Sequence, residues 1–461
     1  MIRIFRHYIS GTYLVVFLIE LGVFSAAFYL GDLLRDFNRN LIFFISDGIW
    51  LPSMVFCAVM LISSAGMGLY QRRAHHFSDI AILLRISASF LLGWALLNLL
   101  FYVFPTLSVW HRVIAYALTV SVTGMLMSRF FFLKYVDNQS LRRRILVLGA
   151  GNRANMIREF ELREIPKAFR VIGYVPMGND PVLVKADNIL EMSTNLLKLA
   201  DDEDIDEIVV APDDRRGVIN VGEILDCKIA GYEVLDLLSF FEREAGLLEV
   251  DILQPSWLIF SDGFRLSKGS KRWFDIFASL VLLGITWPVF LLTSLAIIIE
   301  SGWGAPVLYR QVRVGLDGQL FKVIKFRSMR TDAEKDGMAQ WARTNDDRIT
   351  RVGKFIRKVR IDELPQLYNV LKGEMSFVGP RPERPEFVEQ FTGTIPFYAE
   401  RHRVKPGITG WAQLCYPYGA SYEDTVEKLK YDLYYIKNYS RFLDLLIILQ
   451  TIEVVLWGKG L

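Results

Sequence analysis

Two adjacent carboxylates, Asp362 and Glu363, are the residues of this sequence best placed to do chemistry. They lie in the octapeptide Arg-Ile-Asp-Glu-Leu-Pro-Gln-Leu at 360–367, which is followed by apolar residues at helical spacing up to Gly373. Because Pro365 is tolerated in a first helical turn, the octapeptide predicts a helix start with both acids beside unpaired backbone N–H groups. Such a place can bind phosphate. The alternative is an ordinary aspartate cap followed by a first-turn glutamate.

Cationic residues lie on both sides of the acids along the chain. Four of them stand in three short motifs: Lys325 and Arg327 in the first, Arg357 in the second and Arg381 in the third. An arginine can bind a phosphate through two parallel hydrogen bonds. The basic amphipathic stretch at 353–360 is either a solvated face or a contact for phosphate or anionic lipid.

The composition narrows the class of protein. The sequence has 461 residues, of which 52% are hydrophobic, and its mean hydropathy of +0.28 is high for a soluble protein. The length is enough for two or three domains. A net charge of +3 gives no general signal for polyanions, so we expect no nucleic-acid partner. Cys57, Cys227 and Cys415 are far apart and show no pairing or metal-ligand spacing.

Four apolar segments in the first part of the chain predict an α-helical membrane bundle over residues 1–140. They lie at about 13–30, 49–69, 80–104 and 113–133. Each is close to the ~20 residues that cross a ~30 Å hydrocarbon layer. The amino terminus lacks a small-residue cleavage site, so we expect the first segment to be retained. Glu20 interrupts that segment, and an acid at this depth usually faces the bundle interior, where a neutral or paired structural role is favoured over a functional one.

Basic residues predict the orientation of this bundle. They precede the first segment, lie between the second and third, and follow the fourth: Arg3, Arg6, Arg72, Arg73, Lys134 and 142–144. Because cytoplasmic loops carry an excess of lysine and arginine, both ends of the bundle are predicted to lie in the cytoplasm.

Residues 141–262 are predicted to form an α/β Rossmann-like domain. A buried strand from 145 leads into Gly149-Ala-Gly151-Asn-Arg-Ala154, a G-x-G-x-x-A turn that could seat a dinucleotide. The second strand ends without the acid that would hold a ribose, so a structural or regulatory domain is favoured over NAD binding.

A fifth apolar segment at 272–299 is interrupted by Pro288. Both of its flanks are basic, beginning with Lys268 on one side and Arg310 on the other, so both flanks look cytoplasmic. A proline in a helix interior removes a hydrogen bond and kinks the helix. We therefore predict a re-entrant helix that returns to the same face, with a kinked spanning helix as the alternative.

Four motifs in the last part of the chain resemble one family. They are Lys325-Phe-Arg-Ser-Met329, Asp362-Glu-Leu-Pro-Gln366, Gly379-Pro-Arg-Pro382 and Pro406-Gly-Ile-Thr-Gly-Trp-Ala-Gln413. In this order they resemble the bacterial sugar transferase family, the monotopic phosphoglycosyl transferases that act as polyprenyl-phosphate hexose-1-phosphate transferases. The resemblance covers residues 268–461 and implies a mixed α/β, membrane-associated catalytic domain. The preceding bundle and α/β domain resemble the long form of the family, for which a homodimer is possible.

The resemblance implies a reaction in which a UDP-sugar and undecaprenyl phosphate give undecaprenyl-diphospho-sugar and UMP. Asp362 then corresponds to the family's nucleophile, which forms a covalent aspartyl-phosphosugar, and Glu363 to the Mg²⁺ ligand. Lys325, Arg327, Arg357 and Arg381 fall on motif positions that bind substrate, and Pro288 on the residue that breaks the re-entrant helix.

The expected setting is the bacterial inner membrane, with the catalytic domain on its cytoplasmic face, and the expected donor is UDP-glucose or UDP-galactose. The product would start an exopolysaccharide or O-antigen repeat unit. The alternative is an inactive membrane scaffold or regulator of a polysaccharide assembly complex.

Overall fold

The chain, described here as a computed structural model, forms two compact units. The first consists of Met1–Ile2 and Tyr8–Gly246, and the second of Arg3–His7 and Leu247–Leu461. The structure describes residues 2–9, 11–36, 48–70, 79–135, 142–163, 167–178, 180–185, 188–191, 195–214, 220–260, 262–264, 270–330, 347–416, 419 and 421–457. Arg72, Arg73 and Lys268, which contribute to the predicted orientation, lie outside the described residues.

The chain begins with a short hairpin and continues with four apolar helices. The hairpin strands are β1 (Ile2–Ile4) and β2 (His7–Ile9), and the helices are α1 (Gly11–Asp36), α2 (Trp50–Gly66), α3 (Asp79–Val103) and α4 (His111–Tyr135). Spans within α1, α3 and α4 are long and apolar enough to cross a membrane. Helix α2, with 17 residues, is at the short end of that range. The four predicted apolar segments therefore form four helices.

Glu20 has the paired role expected of it. It lies on α1 with no exposed surface, and its Oε1 is 2.8 Å from Nε of Arg129 on α4. The Tyr70 hydroxyl donates to Oε2 of Glu20 at 2.5 Å. Arg129 also donates to the carbonyl oxygen of Leu69 at 2.8 Å. A buried acid is tolerated when its charge is paired and hydrogen-bonded, so this cluster joins α1, α4 and the end of α2.

The rest of the first unit alternates strands with helices. In chain order they are β3 (Arg143–Leu148), α5 (Asn152–Leu162), β4 (Phe169–Val175), α6 (Leu196–Asp202), β5 (Glu207–Val210), α7 (Val221–Ile229), β6 (Glu233–Asp236) and α8 (Leu237–Ala245). The strands are parallel, in the order β4-β3-β5-β6. Ile189 adds a parallel bridge to Tyr174 outside β4.

The helix start predicted as a candidate dinucleotide site is occupied by a side chain of the protein itself. Asp213, in the loop after β5, accepts hydrogen bonds at 2.8 Å from the backbone N–H groups of Asn152 and Arg153 in the first turn of α5. A pyrophosphate would need these same donors. A Cβ atom at Gly151 would lie 2.3 Å from the Asp213 carboxylate, so the glycine admits the aspartate. This contact favours a structural role for the motif over NAD binding.

The second unit contains the following elements: α9 (Pro255–Phe260), α10 (Ser270–Ser301), β7 (Leu308–Val314), β8 (Leu320–Phe326), α11 (Arg351–Lys358), α12 (Gln366–Lys372), β9 (Ser376–Val378), α13 (Pro385–Thr394), β10 (Gly407–Thr409), α14 (Trp411–Cys415), α15 (Tyr422–Lys437) and α16 (Arg441–Trp457). Strands β7 and β8 form an antiparallel hairpin, and β9 pairs with β10 in parallel. The predicted boundary at 262–268 lies inside this unit. Residues before it already pack there, since Glu249 forms a 2.7 Å ion pair with Lys430 on α15.

Helix α10 is continuous over 32 residues and contains Pro288. Near its start, Arg272 donates to a carbonyl oxygen of α12 at 2.5 Å. Near its end, the Glu300 carboxylate accepts from the backbone N–H of Arg351, the first residue of α11, at 2.7 Å. Most side chains between these contacts, over 280–292, are exposed. Both ends of α10 are thus attached to the second unit, while the re-entrant path stays a prediction.

Candidate active site

The carboxylate of Glu363 lies among cationic side chains from separate parts of the chain. Lys325, near the end of β8, donates from Nζ to Glu363 Oε1 at 2.9 Å. Both terminal nitrogens of Arg381 lie 3.4 Å from the same oxygen, and a terminal nitrogen of Arg360 lies 4.0 Å from it. The structure therefore brings together three of the predicted site residues, Lys325, Glu363 and Arg381.

These cations decide the charge of Glu363. Burial by itself would raise the pKa of this carboxyl. The charges of Lys325, Arg381 and Arg360, with the hydrogen bond from Lys325, outweigh burial and hold the pKa well below its ordinary value. Burial lowers the pKa of the Lys325 ammonium, and the Glu363 charge opposes that change. Glu363 is consequently a carboxylate whose negative charge is already balanced.

Asp362 has a different environment from its neighbour. Its side chain is buried, and Oδ1 has no hydrogen-bond partner within the described ranges. Burial and the adjacent charge of Glu363 raise the pKa of this carboxyl, while Lys325, Arg357 and Arg360 oppose the rise. A buried oxygen without a partner is costly, so it marks a place where a ligand atom can bind. Glu363 is thus held by cations, whereas Asp362 keeps an oxygen that can react or bind a ligand.

The acid pair lies in a single 3₁₀ turn, Ile361–Glu363, and not in the first turn of a helix. Helix α12 begins after Pro365 and ends at Gly373, whose φ of 92° fits a glycine terminator. The N–H group of Glu363 and that of the next residue donate to carbonyl groups of the same turn. The structure therefore differs from the predicted helix start, because the turn uses its own amides. The positive charge near the acids comes from lysine and arginine side chains and not from helix N–H groups.

Arg360 precedes this turn in a left-handed backbone conformation, with φ of 59°. Such a conformation is uncommon for a residue other than glycine, and residues of this kind cluster at functional sites. Sequence reasoning did not select Arg360 as a site residue, although its position directly before the acids was a usable signal.

Arg381 approaches the acids from the loop that follows β9. The two paired strands meet at glycines: a Cβ atom at Gly379 would lie 2.2 Å from the carbonyl oxygen of Lys405, and one at Gly407 would lie 2.1 Å from the backbone nitrogen of Gly379. The two loops that contain Gly379 and Gly407 therefore pack backbone against backbone, because neither glycine has a side chain to separate them. Arg401 then donates to the carbonyl oxygen of Arg381 at 3.1 Å. The backbone that carries Arg381 is held from two sides.

Arg401 is a residue that sequence reasoning missed. Its buried guanidinium forms a 2.8 Å ion pair with Asp432 on α15 and donates to the Tyr398 hydroxyl at 2.8 Å. Burial raises the pKa of Asp432 to about 6, against the opposing charge of Arg401. Neither residue belongs to a local pattern, so no signal in the sequence could have paired them.

The remaining predicted site residues do not contact the acids directly. Arg357, in the last turn of α11, acts on Asp362 as a nearby charge. Arg327 is 7% exposed, and both terminal guanidinium nitrogens are buried without a hydrogen-bond partner in the part of the chain that the structure describes. Burial lowers its pKa, and Glu300 opposes the change. Pro288 lies in the exposed middle of α10.

The donor set of the site fits Mg²⁺ when a phosphate ligand is present as well. Mg²⁺ prefers oxygen ligands and is commonly held by one or two carboxylates together with substrate phosphates. Glu363, the residue expected to bind Mg²⁺, would supply one carboxylate, and Asp362 lies beside it with an oxygen that has no hydrogen-bond partner among the described residues. The residues that the structure describes contain no group of three or more His, Cys, Asp and Glu side chains able to form a complete metal cage. The further ligands would therefore come from the substrate.

The last part of the chain matches a known protein family. The family described as "Bacterial sugar transferase" matches residues 266–458. A UDP-N-acetylgalactosamine-undecaprenyl-phosphate N-acetylgalactosaminephosphotransferase from Aeromonas hydrophila is 44% identical over 234 residues, which are 51% of this chain and 55% of that protein. An undecaprenyl-phosphate glucose phosphotransferase from Komagataeibacter xylinus is 35% identical over 332 residues, 69% of this chain and 60% of that protein.

A third relative shares more of its length. The UDP-glucose:undecaprenyl-phosphate glucose-1-phosphate transferase from Xanthomonas campestris pv. campestris is 33% identical over 349 residues, 71% of this chain and 70% of that protein. The chain thus spans 55% and 60% of the first two relatives and more than two thirds of the third. With the motifs, the site and these matches together, the chain belongs to the bacterial sugar transferase family.

Proposed function

We propose that this membrane protein transfers a hexose 1-phosphate from a UDP-sugar to undecaprenyl phosphate, giving undecaprenyl-diphospho-sugar and UMP. The observation that carries the proposal is the contrast between two adjacent buried acids. Asp362 has a carboxylate oxygen without a hydrogen-bond partner among the described residues, and Glu363 beside it is held by Lys325, Arg381 and Arg360. This arrangement offers a free carboxylate nucleophile in a site whose cations suit a diphosphate.

The transfer balances in two steps. In the first, a carboxylate oxygen of Asp362 attacks the phosphorus that bears the sugar, the bond from that phosphorus to the bridging oxygen breaks, and UMP leaves with the bonding electrons. In the second, an oxygen of the lipid phosphate attacks the same phosphorus, and the carboxylate of Asp362 leaves. Both nucleophiles react as anions, so the site has to neutralise charge more than it has to remove a proton. Lys325, Arg381 and Arg360 are placed to do so.

We propose Mg²⁺ as the cofactor, with Glu363 as its protein ligand. When bound, the ion would neutralise negative charge on the transferring phosphate. The low pKa of Glu363 keeps this carboxylate ionised and ready to bind a cation. Lys325 and Arg381, which hold Glu363 in this structure, are long side chains that can turn to the donor's phosphates.

The identity of the sugar is an open part of the proposal. The family resemblance leads us to expect UDP-glucose or UDP-galactose as the donor, although no residue of the sequence decides between sugars. The names of the relatives add N-acetylgalactosamine to these sugars. The relative from Aeromonas hydrophila is named for N-acetylgalactosamine, and the relatives from Komagataeibacter xylinus and Xanthomonas campestris are named for glucose. All three names include undecaprenyl phosphate, which we propose as the acceptor here. The product would start an exopolysaccharide or O-antigen repeat unit.

The attachments of α10 support the proposed re-entrant path. Helix α10 has 32 residues, so it would be about 48 Å long if straight, more than a hydrocarbon layer of about 30 Å. Arg272 at one end contacts α12 and Glu300 at the other caps α11, and both partners belong to the same unit. A helix that crossed the membrane once would place these ends on opposite sides. Both ends of α10 contact the same domain, and its exposed apolar middle contains Pro288. These features favour a helix that enters the membrane and returns to the same face.

The amino terminus supports a cytoplasmic catalytic domain. Residues Arg3–His7 belong to the second unit, and Nδ1 of His7 lies 2.8 Å from the Tyr434 hydroxyl on α15. We therefore propose that the segment directly before α1 and the catalytic domain lie on the same side of the membrane. Because that segment carries Arg3 and Arg6, the positive-inside rule assigns this side to the cytoplasm, where UDP-sugars are found.

The test is turnover by the full-length protein in lipid nanodiscs, supplied with Mg²⁺, undecaprenyl phosphate and each of four donors: UDP-glucose, UDP-galactose, UDP-N-acetylglucosamine and UDP-N-acetylgalactosamine. We expect release of UMP from at least one donor. Asp362→Asn should abolish it, while the matched control Asp317→Asn, an exposed acid in the turn between β7 and β8, should retain it. Release of UDP, or full activity in Asp362→Asn, would contradict the mechanism. Absence of turnover with every donor would favour the scaffold alternative.

A further inference from the structure

Arg327 is a buried cation whose terminal guanidinium nitrogens lack a hydrogen-bonded counter-ion among the described residues. It is 7% exposed, and both terminal guanidinium nitrogens are buried without a hydrogen-bond partner in the described part of the chain. Its backbone is fixed, because its N–H group donates to the carbonyl oxygen of Val307 at 2.9 Å. Burying an ionised group that has no hydrogen-bonded partner is energetically costly. Buried donor groups of this kind are a place where an anion can bind.

The chain around Arg327 is held tightly, so the side chain has little freedom to leave. Phe326 before it is buried with Ile297 of α10 and Ile356 of α11. Ser328 after it lies against α11, where a Cβ atom at Gly353 would be 2.0 Å from the Ser328 carbonyl oxygen. The guanidinium is therefore located where the end of α10 meets β8 and α11.

The acid nearest to Arg327 is committed elsewhere. Glu300 is the one charge among the described residues that acts on the pKa of Arg327. Its carboxylate accepts hydrogen bonds from the backbone N–H groups of Arg351 and Val352, at 2.7 and 3.2 Å, and so caps α11. The Glu300 carboxylate is thus used to cap α11. The terminal guanidinium nitrogens of Arg327 can therefore still donate to an incoming anion.

Lys325, two residues earlier, differs from Arg327 in this respect. Its ammonium is bonded to Glu363 at 2.9 Å, and Arg381 approaches the same carboxylate. These cations surround the acids at which the donor diphosphate must react. Of the two substrates in the proposed reaction, the acceptor is the one whose phosphate still lacks a matched cation.

The location also suits a ligand that arrives from the membrane. The exposed apolar residues at the end of α10 are Ile299, which is 83% exposed, and Trp303 just beyond it, which is 96% exposed. Tryptophan at such a position is typical of a membrane–water interface. The unpaired guanidinium is thus placed beside the end of the helix that we propose to enter the lipid.

We propose that Arg327 binds the phosphate of the polyprenyl acceptor, in a subsite separate from the cations that hold the donor diphosphate. The inference rests on the proposed function and deepens it. The guanidinium would make two parallel hydrogen bonds to the phosphate monoester and hold it for attack on the aspartyl-phosphosugar. An inorganic phosphate ion presents the same chemistry, so it serves as a probe of the same subsite.

The experiment separates the two half-reactions in the full-length protein in nanodiscs. Exchange of labelled UMP into the UDP-sugar, without acceptor, reports the donor step. Transfer to undecaprenyl phosphate reports both steps. In Arg327→Met we expect the KM for undecaprenyl phosphate to rise about tenfold or more, and transfer to lose about tenfold more than exchange does. Arg327→Lys should recover part of the affinity, because it restores the charge without the planar pair of donors.

Two further readouts test the same point. Inorganic phosphate should compete with undecaprenyl phosphate in the wild type, and competition with the UDP-sugar instead would overturn the inference. The melting temperature of Arg327→Met should be unchanged or higher, because the variant replaces an unpaired buried cation by an apolar side chain of similar length. A lower melting temperature with equal losses in exchange and transfer would show a structural role for Arg327. A wild type that exchanges no UMP would instead overturn the proposed covalent mechanism.

Discussion

Lys325 and Glu363 form a 2.9 Å hydrogen-bonded ion pair that joins strand β8 to the turn carrying both acids. The pair gives the two adjacent acids opposite properties. Glu363 has a pKa well below its ordinary value, whereas burial and the charge of Glu363 raise the pKa of Asp362. The division between a balanced carboxylate and an available one therefore begins with this contact.

Loss of the Lys325 charge should damage the donor step. In Lys325→Met, Glu363 loses the cation that does most to lower its pKa, and the donor loses a phosphate partner. We expect UMP exchange to fall by about 10²-fold, the size of effect seen when one preorganised donor is removed. Lys325→Arg should lose less. The control is Lys322→Met, an exposed lysine on the same strand, which should change exchange little.

The pH dependence of exchange should report Asp362. Attack requires the carboxylate form, so exchange should fall as the pH drops through the raised pKa of this carboxyl. That limb should lie at higher pH than for an ordinary aspartate, whose pKa is about 3.9. Arg357 opposes the rise, so Arg357→Gln should move the limb to still higher pH. The neighbouring exposed residue gives the matched variant Lys358→Gln, and an equal displacement in that variant would argue against a specific charge effect.

Arg401 should act by positioning the loop of Arg381 and by balancing Asp432. Arg401→Met leaves a buried carboxylate unpaired, so we expect a loss of about 3 kcal/mol in the free energy of unfolding near pH 8. The loss should be smaller near pH 5. Asp432 already has a pKa raised to about 6, and without Arg401 it would be neutral at the lower pH.

Thermal unfolding at the two pH values measures this difference, and the double variant with Asp432→Asn should recover part of the stability at pH 8. In the same variants, the KM for the UDP-sugar should rise, because Arg401 donates to the Arg381 carbonyl group. An unchanged KM would remove the positioning role and leave only the ion pair.

Mg²⁺ should bind together with the donor and weakly without it. Calorimetric titration of the full-length protein with Mg²⁺ should show little heat in the absence of UDP-sugar, since cations surround Glu363. Chelation should stop UMP release, and Glu363→Gln should raise the Mg²⁺ concentration needed for half-maximal activity. Full activity in a chelator would exclude the proposed cofactor.

The amino-terminal segment should contribute to the stability of the catalytic unit. His7 is buried, hydrogen-bonds the Tyr434 hydroxyl at 2.8 Å and lies edge-on to Trp411 in the last glycine motif. His7→Ala and Tyr434→Phe should each cost about 1–2 kcal/mol, and the double variant less than their sum, because both lose one hydrogen bond. His111→Ala, at an exposed position at the start of α4, is the control. Equal melting temperatures for His7→Ala and the wild type would contradict the contact.

Local patterns in the sequence were sufficient to predict the main helices and strands. Runs of apolar residues of membrane length became α1 to α4 and α10, and alternating strands and helices became the parallel sheet. Adjacent acids such as Asp362 and Glu363 must be neighbours in any fold. These features depend on residues close together in the chain, so periodicity and spacing are enough to predict them.

Tertiary structure alone decided how the charges pair. Lys325 and Arg327 are two residues apart in one motif, yet the fold gives the first a hydrogen-bonded acid and leaves the terminal nitrogens of the second without such a bond in the described part of the chain. Asp213 fills the helix start that a glycine motif offered to a dinucleotide, and Arg401 finds Asp432. Such pairs join distant parts of the chain, and whether a charge is balanced depends on which segments the folded backbone brings within hydrogen-bonding distance. The sequence therefore determined which groups could do the chemistry, and the path of the chain determined which of them were left free to do it.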